Sequence, residues 1–155
     1  MTAVPGTDRG HDAPAGRTPA TRHRSGAPVV GGFFLVMGGV HLGLVAADTG
    51  VYRDFASQAL FGFVRAGWRE VFMADPAVWA LLLMAGEITL GTLLLIGGRA
   101  RLVGWVGVIV FHVLLMLFGW WVWVWSVPAL AVLVTLALRD LRAARTDTSA
   151  SPVSS

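Results

Sequence analysis

Along most of this chain the apolar residues do not alternate with polar ones; they run on unbroken. The first run covers Ala27–Ala47, interrupted only by His41, and the second covers 76–98, with Glu87 as its one charge. A helix needs roughly 20 residues to cross the hydrocarbon of a bilayer, so each run suffices for one span. Asp75 followed by Pro76 predicts a helix start, an N-cap acceptor with proline at the first helical position. The third run, 102–138, would be roughly 55 Å long as one helix against a core of ~30 Å, so it must fold back. The expected turn is 119–121, inside Gly119-Trp120-Trp121-Val122-Trp123-Val124-Trp125, because clustered tryptophan prefers the headgroup level. The spans then read 27–47, 76–98, 101–118 and 122–141. Pro128 falls inside the last and is expected to kink it.

These elements predict an all-α integral membrane four-helix bundle, residues 27–142. Residues 1–26, rich in Gly, Pro, Thr and Arg without apolar periodicity, and residues 143–155 read as disordered tails. Between spans one and two, Val51, Phe55, Val64, Trp68, Val71 and Phe72 recur at helical spacing. That pattern predicts an amphipathic outer segment over 48–75, an interfacial anchor or a lid over a site.

Composition agrees with the bilayer reading. The chain is 55% hydrophobic and 14% charged, where a soluble domain carries about a quarter charged residues. That excludes a soluble enzyme, a nucleic-acid-binding domain and a disordered regulator. The net charge of +3 comes with twelve basic residues, all arginine, in the tails and between the apolar runs. Four spans with the N-terminus inside put nine arginines on the cytoplasmic side and leave Arg53, Arg65 and Arg69 outside, which satisfies the positive-inside rule. The expectation is a multi-pass protein of the cell membrane with both termini cytoplasmic and lipid as its first partner. A rival reading takes Val45-Ala46-Ala47 as a signal-peptidase site, which would remove span one.

Three ionisable groups lie within the apolar runs: His41, Glu87 and His112. Helix rise alone puts Glu87 and His112 each roughly 16 Å deep and His41 near the midplane, so one layer can hold all three. An ionised carboxylate at that depth is unfavourable by several kcal/mol and has to be neutral, paired or beside water. Glu87 is therefore the candidate proton-handling residue, with His112 and His41 as hydrogen-bond or relay partners. The alternative is that these groups only tie helices together. Ala80, Met84 and Gly91 share the Glu87 face, and Gly39-xxx-Gly43 around His41 has the small-xxx-small spacing of packed helices. Haem held by His41 and His112, or a metal held by all three, would be further options, but neither has paired ligand spacing. Without cysteine, haem motif or nucleotide loop, no intrinsic cofactor and no metal site is expected. Arg99 and Arg101 read as topology determinants that also suit anionic lipid.

The stretch Gly86-Glu87-Ile88-Thr89-Leu90-Gly91 through Gly97-Gly98-Arg99-Ala100-Arg101-Leu102 resembles the DoxX-like family of small four-span membrane proteins. The shared pattern is a Glu, a Gly four residues on, an aliphatic run, Gly, and Arg entering span three. Phe33-Phe34-Leu35-Val36-Met37-Gly38-Gly39 also looks similar, while His41 stands where the family often has Lys or another polar residue. The resemblance covers roughly residues 29–138 and carries over only Glu87, Gly91, Gly97 and Arg99. It implies a membrane subunit associated with redox chemistry, with quinone as a possible ligand and a redox protein as a possible partner. Two other readings stand beside it: a small proton-coupled exporter, and an assembly or packing protein without ligand.

Overall fold

The structure, a computed structural model, describes residues 25–149. Of the tails expected over 1–26 and 143–155, residues 1–24 and 150–155 lie outside the described residues; Ser25 and Gly26 lead directly into the first helix. Every element among the described residues is helical. In order they are α1 (Ala27–Ala47), a 3₁₀ turn (Thr49–Asp54), α2 (Phe55–Gln58), α3 (Gly62–Glu70), a second 3₁₀ turn (Phe72–Ala74), α4 (Pro76–Ile96), α5 (Gly98–Leu115) with a 3₁₀ extension (Met116–Phe118), and α6 (Trp120–Ser149). Four of these, α1, α4, α5 with its extension, and α6, are long and apolar enough to cross a membrane. The protein is an all-α multi-pass bundle whose helices run alternately up and down.

The helix ends follow from local chemistry. Asp75 Oδ1 accepts the Val78 amide at 3.2 Å and Pro76 opens α4, the start its sequence predicts. The α4–α5 corner is made by Gly97 and Gly98 at φ +88° and +57°, a left-handed path that a side chain would oppose. Gly119, at φ +102°, breaks the long apolar run at its expected point. A Cβ there would also collide with the Gln58 carbonyl oxygen, so the corner sits directly on the segment between α1 and α4. The Leu60 amide donates to the Leu117 carbonyl at 3.0 Å and stitches the two together.

Packing in lipid depends on close approach, because the surroundings are as apolar as the side chains. α1 and α4 meet through glycine: a Cβ on Gly31 would stand 2.9 Å from the Gly91 carbonyl oxygen, and one on Gly91 2.7 Å from that of Gly31. Gly38 lies against Met84 and Ile88 one level along. The expected Gly39-xxx-Gly43 contact is not formed; both residues meet nothing within 4 Å. The glycine spacing was informative but the face was not, since α1 is apolar all round and carries glycine on more than one side. On α4 Ala80, Glu87 and Gly91 of the expected stripe are buried and Met84 is half-buried, with Leu94 extending the buried face.

Two other boundaries shift. α6 does not stop near residue 142 but continues as helix through Ser149, where a disordered tail was expected. Ala143, Ala144 and Arg145 are strong helix formers, and extending an existing helix needs no new nucleus. The 48–75 segment is not one amphipathic helix. It breaks at Ala59–Phe61, and its buried residues are Tyr52, Ala56, Ala59 and Phe72, while Val51 and Val71 turn outward. Large apolar side chains there meet lipid as readily as protein, so periodicity did not mark the inward face. Folded this way, the segment caps one end of the bundle.

Candidate functional site

Under that cap the structure brings Glu87 and His41 together. Glu87, on the buried stripe of α4, is only 4% exposed, and its Oε2 lies 3.6 Å from His41 Nε2 on α1. This is beyond ordinary hydrogen-bond range. Glu87 Oε2 is buried without a hydrogen-bond partner. The shared layer deduced from helix rise is therefore realised for this pair, through the glycine-mediated approach of α1 to α4.

The third member is one the sequence reading passed over. Tyr52, from the first turn of the cap, puts its hydroxyl 2.6 Å from His41 Nδ1, and the two rings stack 5.9 Å apart. Burial raises the Tyr52 pKa above its ordinary value of 10.0, and the nearby Glu87 charge raises it further. The phenol thus keeps its proton and is able to donate it in a hydrogen bond. With Tyr52 donating to Nδ1, a neutral His41 carries its proton on Nε2, the nitrogen facing Glu87. Trp68 fixes the arrangement from above: its indole N–H donates to the Tyr52 carbonyl at 2.7 Å, and its ring stacks on Phe72 at 3.9 Å. A signal for Tyr52 did exist, for it is the sole tyrosine in the chain.

His112 has a different setting from the one expected. It is buried on α5, donates from Nδ1 to the Val108 carbonyl at 2.9 Å, and packs against the rings of Phe34, Phe111 and Trp125. It makes no ion pair with Glu87; instead both line one cavity of about 360 Å³, along with His41 and Tyr52. The rest of the wall is apolar and largely aromatic, including Phe34, Phe55, Trp68, Phe111 and Trp125. Trp125 is half exposed but sets one side against His112 and the cavity, whereas Trp120 and Trp121 are more exposed at the capped end.

Arg101 and Arg99 separate at the opposite end. Arg101 Nη1 lies 3.6 Å from Asp140 Oδ1, and its Nε donates to the Leu94 carbonyl at 3.3 Å. Trp105 Nε1 donates to Asp140 Oδ2 at 3.0 Å, so Asp140 joins α5 to α6. Asp140 and Trp105 were not anticipated. Arg99 is exposed on the first turn of α5.

Chemically, Tyr52 and His41 are hydrogen-bonded and face a buried carboxyl group across a 3.6 Å gap, so a proton could pass between the cap and Glu87 only once that gap closed or were bridged. Among the described residues no group of three or more His, Cys, Asp or Glu is placed to hold a metal ion. Haem ligation by His41 would require it to release Tyr52 or turn from Glu87. Comparison with protein-family models, curated proteins and solved structures finds no match to this chain.

Proposed function

We propose that this chain is a DoxX-like membrane protein that serves as a subunit or quinone-facing partner of a membrane redox complex. Glu87 is its buried proton-handling group. The observation that carries the reading is a carboxyl group sunk in the bundle, with one oxygen unpartnered and a Tyr52–His41 pair beside it, on the wall of an aromatic cavity. Such a cavity suits a flat lipophilic ring. A quinone exchanges two protons with its surroundings when its oxidation state changes by two electrons. Those protons need a group at depth to accept or supply them, and Glu87 with His41 fills that role. Tyr52 orients His41 and connects it to the cap. The electrons come from a partner protein. The cell membrane is the proposed location, and the arginine distribution is what supports cytoplasmic termini.

Purification of the tagged full-length chain in mild detergent tests this. The expected result is bound quinone in the extract or a stoichiometric redox protein, with Glu87→Gln losing the proton exchange that accompanies reduction. Proton-coupled uptake in vesicles, abolished by Glu87→Gln and without quinone or redox partner, would replace this reading with the exporter.

A further inference from the structure

The cavity beneath the cap has a neighbour. On the outer face of α4 and α5 lies an open apolar groove of about 660 Å³, bordered by Trp79, Leu82, Gly86 and Val110. The two spaces share a wall, for Trp68, Leu83, Glu87, Phe111 and Leu114 line both. Glu87 is thus a polar residue on the wall between the groove on the outer face and the chamber beneath the cap. The capped side is closed by the stack of Trp68 on Phe72 and by the Tyr52–His41 contact.

We propose that the groove between α4 and α5 is a side door from the bilayer. Through it a neutral, ring-bearing lipophile with a hydroxyl group reaches the chamber and donates a hydrogen bond to Glu87 Oε2. The ring requirement comes from the aromatic walls. The hydroxyl requirement comes from two facts at the centre. Glu87 Oε2 is a buried acceptor without a partner, and the 3.6 Å gap to His41 Nε2 is too wide for a direct hydrogen bond. A hydroxyl oxygen seated to one side of the pair, about 2.8 Å from each atom, donates to the carboxylate and accepts from the imidazole N–H, which completes both groups. A molecule of the same shape lacking the donor leaves the carboxylate unpaired. The door is on the lipid side because a lipophile is already concentrated in the bilayer and need never cross the cap. This inference rests on the reading that the chamber holds a lipophilic ligand, but it does not require redox chemistry.

The test uses the full chain reconstituted in phosphatidylcholine vesicles and a matched pair of probes, 2-naphthol and its methyl ether. Binding is followed by quenching of tryptophan fluorescence, corrected with the same probes and tryptophan octyl ester in protein-free vesicles. Saturable binding of the naphthol about tenfold tighter than the ether is expected, the effect of one charge-assisted hydrogen bond. Glu87→Leu should abolish that preference. Gly86→Phe fills the groove at a position where a Cβ meets nothing within 4 Å, and Gly39→Phe is an equally unobstructed control on α1. Gly86→Phe should slow naphthol association about tenfold while Gly39→Phe leaves it unchanged. Equal binding of naphthol and ether by the unaltered chain would overturn the hydroxyl assignment, even if Glu87→Leu failed to fold. An unslowed Gly86→Phe protein would overturn the door. Bound quinone with no slowing in Gly86→Phe would retain the redox reading and lose the door; a gated naphthol site in a protein that never carries quinone would do the reverse.

Discussion

Two carboxylates on spanning helices meet opposite fates in this molecule. Asp140, on α6, is surrounded by donors: the Trp105 indole at 3.0 Å and the Arg101 guanidinium at 3.6 Å. Glu87, on α4, is more deeply buried, yet one of its oxygens has no hydrogen-bond partner and its nearest cation candidate is a histidine beyond bonding range. A satisfied carboxylate fixes helices; an unsatisfied one in a cavity wall keeps its bonding capacity for something else. The difference sets a tied acid at one end of the bundle against an unpartnered one at the other, although both are acids on spanning helices.

The largest disruption should come from the approach that creates the Glu87 end. Gly91→Leu would drive a side chain into the Gly31 carbonyl and force α1 from α4. A loss of about 3 kcal/mol or a failure to fold is expected. In the folded fraction the His41–Glu87 pair should separate. Gly39→Leu, facing open space, should change stability by less than about 0.5 kcal/mol. Equal effects of the two substitutions in detergent unfolding would show that glycine contact does not hold the site together.

The carboxylates themselves should differ next. Asp140→Ala leaves the Trp105 N–H and Arg101 without their shared acceptor, for a loss of about 2 kcal/mol, moderated because Arg101 is partly exposed. Glu87→Gln removes a buried acid that lacks a full set of partners, so its stability should be unchanged or raised by about 1 kcal/mol. Side-by-side unfolding of these two variants checks the contrast. A Glu87→Gln protein as unstable as Asp140→Ala would make Glu87 a structural tie like its counterpart.

Much of this arrangement was legible because a bilayer imposes few solutions. Run length placed the four spans, Gly119 in a tryptophan-rich run placed the hairpin, and helix rise put His41 and Glu87 at one depth. What stayed hidden shares a cause. In lipid, apolar residues do not have to face inward, so periodicity lost its meaning on α1, where Gly31 and Gly38 rather than Gly39 and Gly43 make the contact, and in the cap, where Tyr52 points in and Val51 out. Asp140 was masked by its neighbour Arg139, which reads as a topology signal. His112 shows a different limit: depth brought it to the same cavity as Glu87, but which partner its ring would choose was not legible, and the Val108 carbonyl of its own helix accepts its Nδ1–H.

The smallest effect tests whether the Glu87 charge is felt by the cap. Tyr52 titrates alone, as the chain's single tyrosine, so tyrosinate absorbance reads one site. Its folded-state pKa lies above the unfolded value of 10.0, chiefly through burial and secondarily through Glu87. The sign follows from linkage. Below pH 10.0 the phenol is protonated in both states and its contribution to stability is intact; as the pH climbs through the folded value that contribution is lost, because the unfolded chain ionises first. Alkaline unfolding should therefore begin above pH 10.0, and Tyr52→Phe should remove that limb of the profile. Because burial is the larger cause, Glu87→Gln should bring the titration back by less than half of its displacement, whereas Asp140→Asn, at the far end, should leave it in place. A Tyr52 titration indifferent to Glu87→Gln would mean that the acid is uncharged or electrically remote from the cap, and the Tyr52–His41–Glu87 chain would then be a packing contact rather than a proton path.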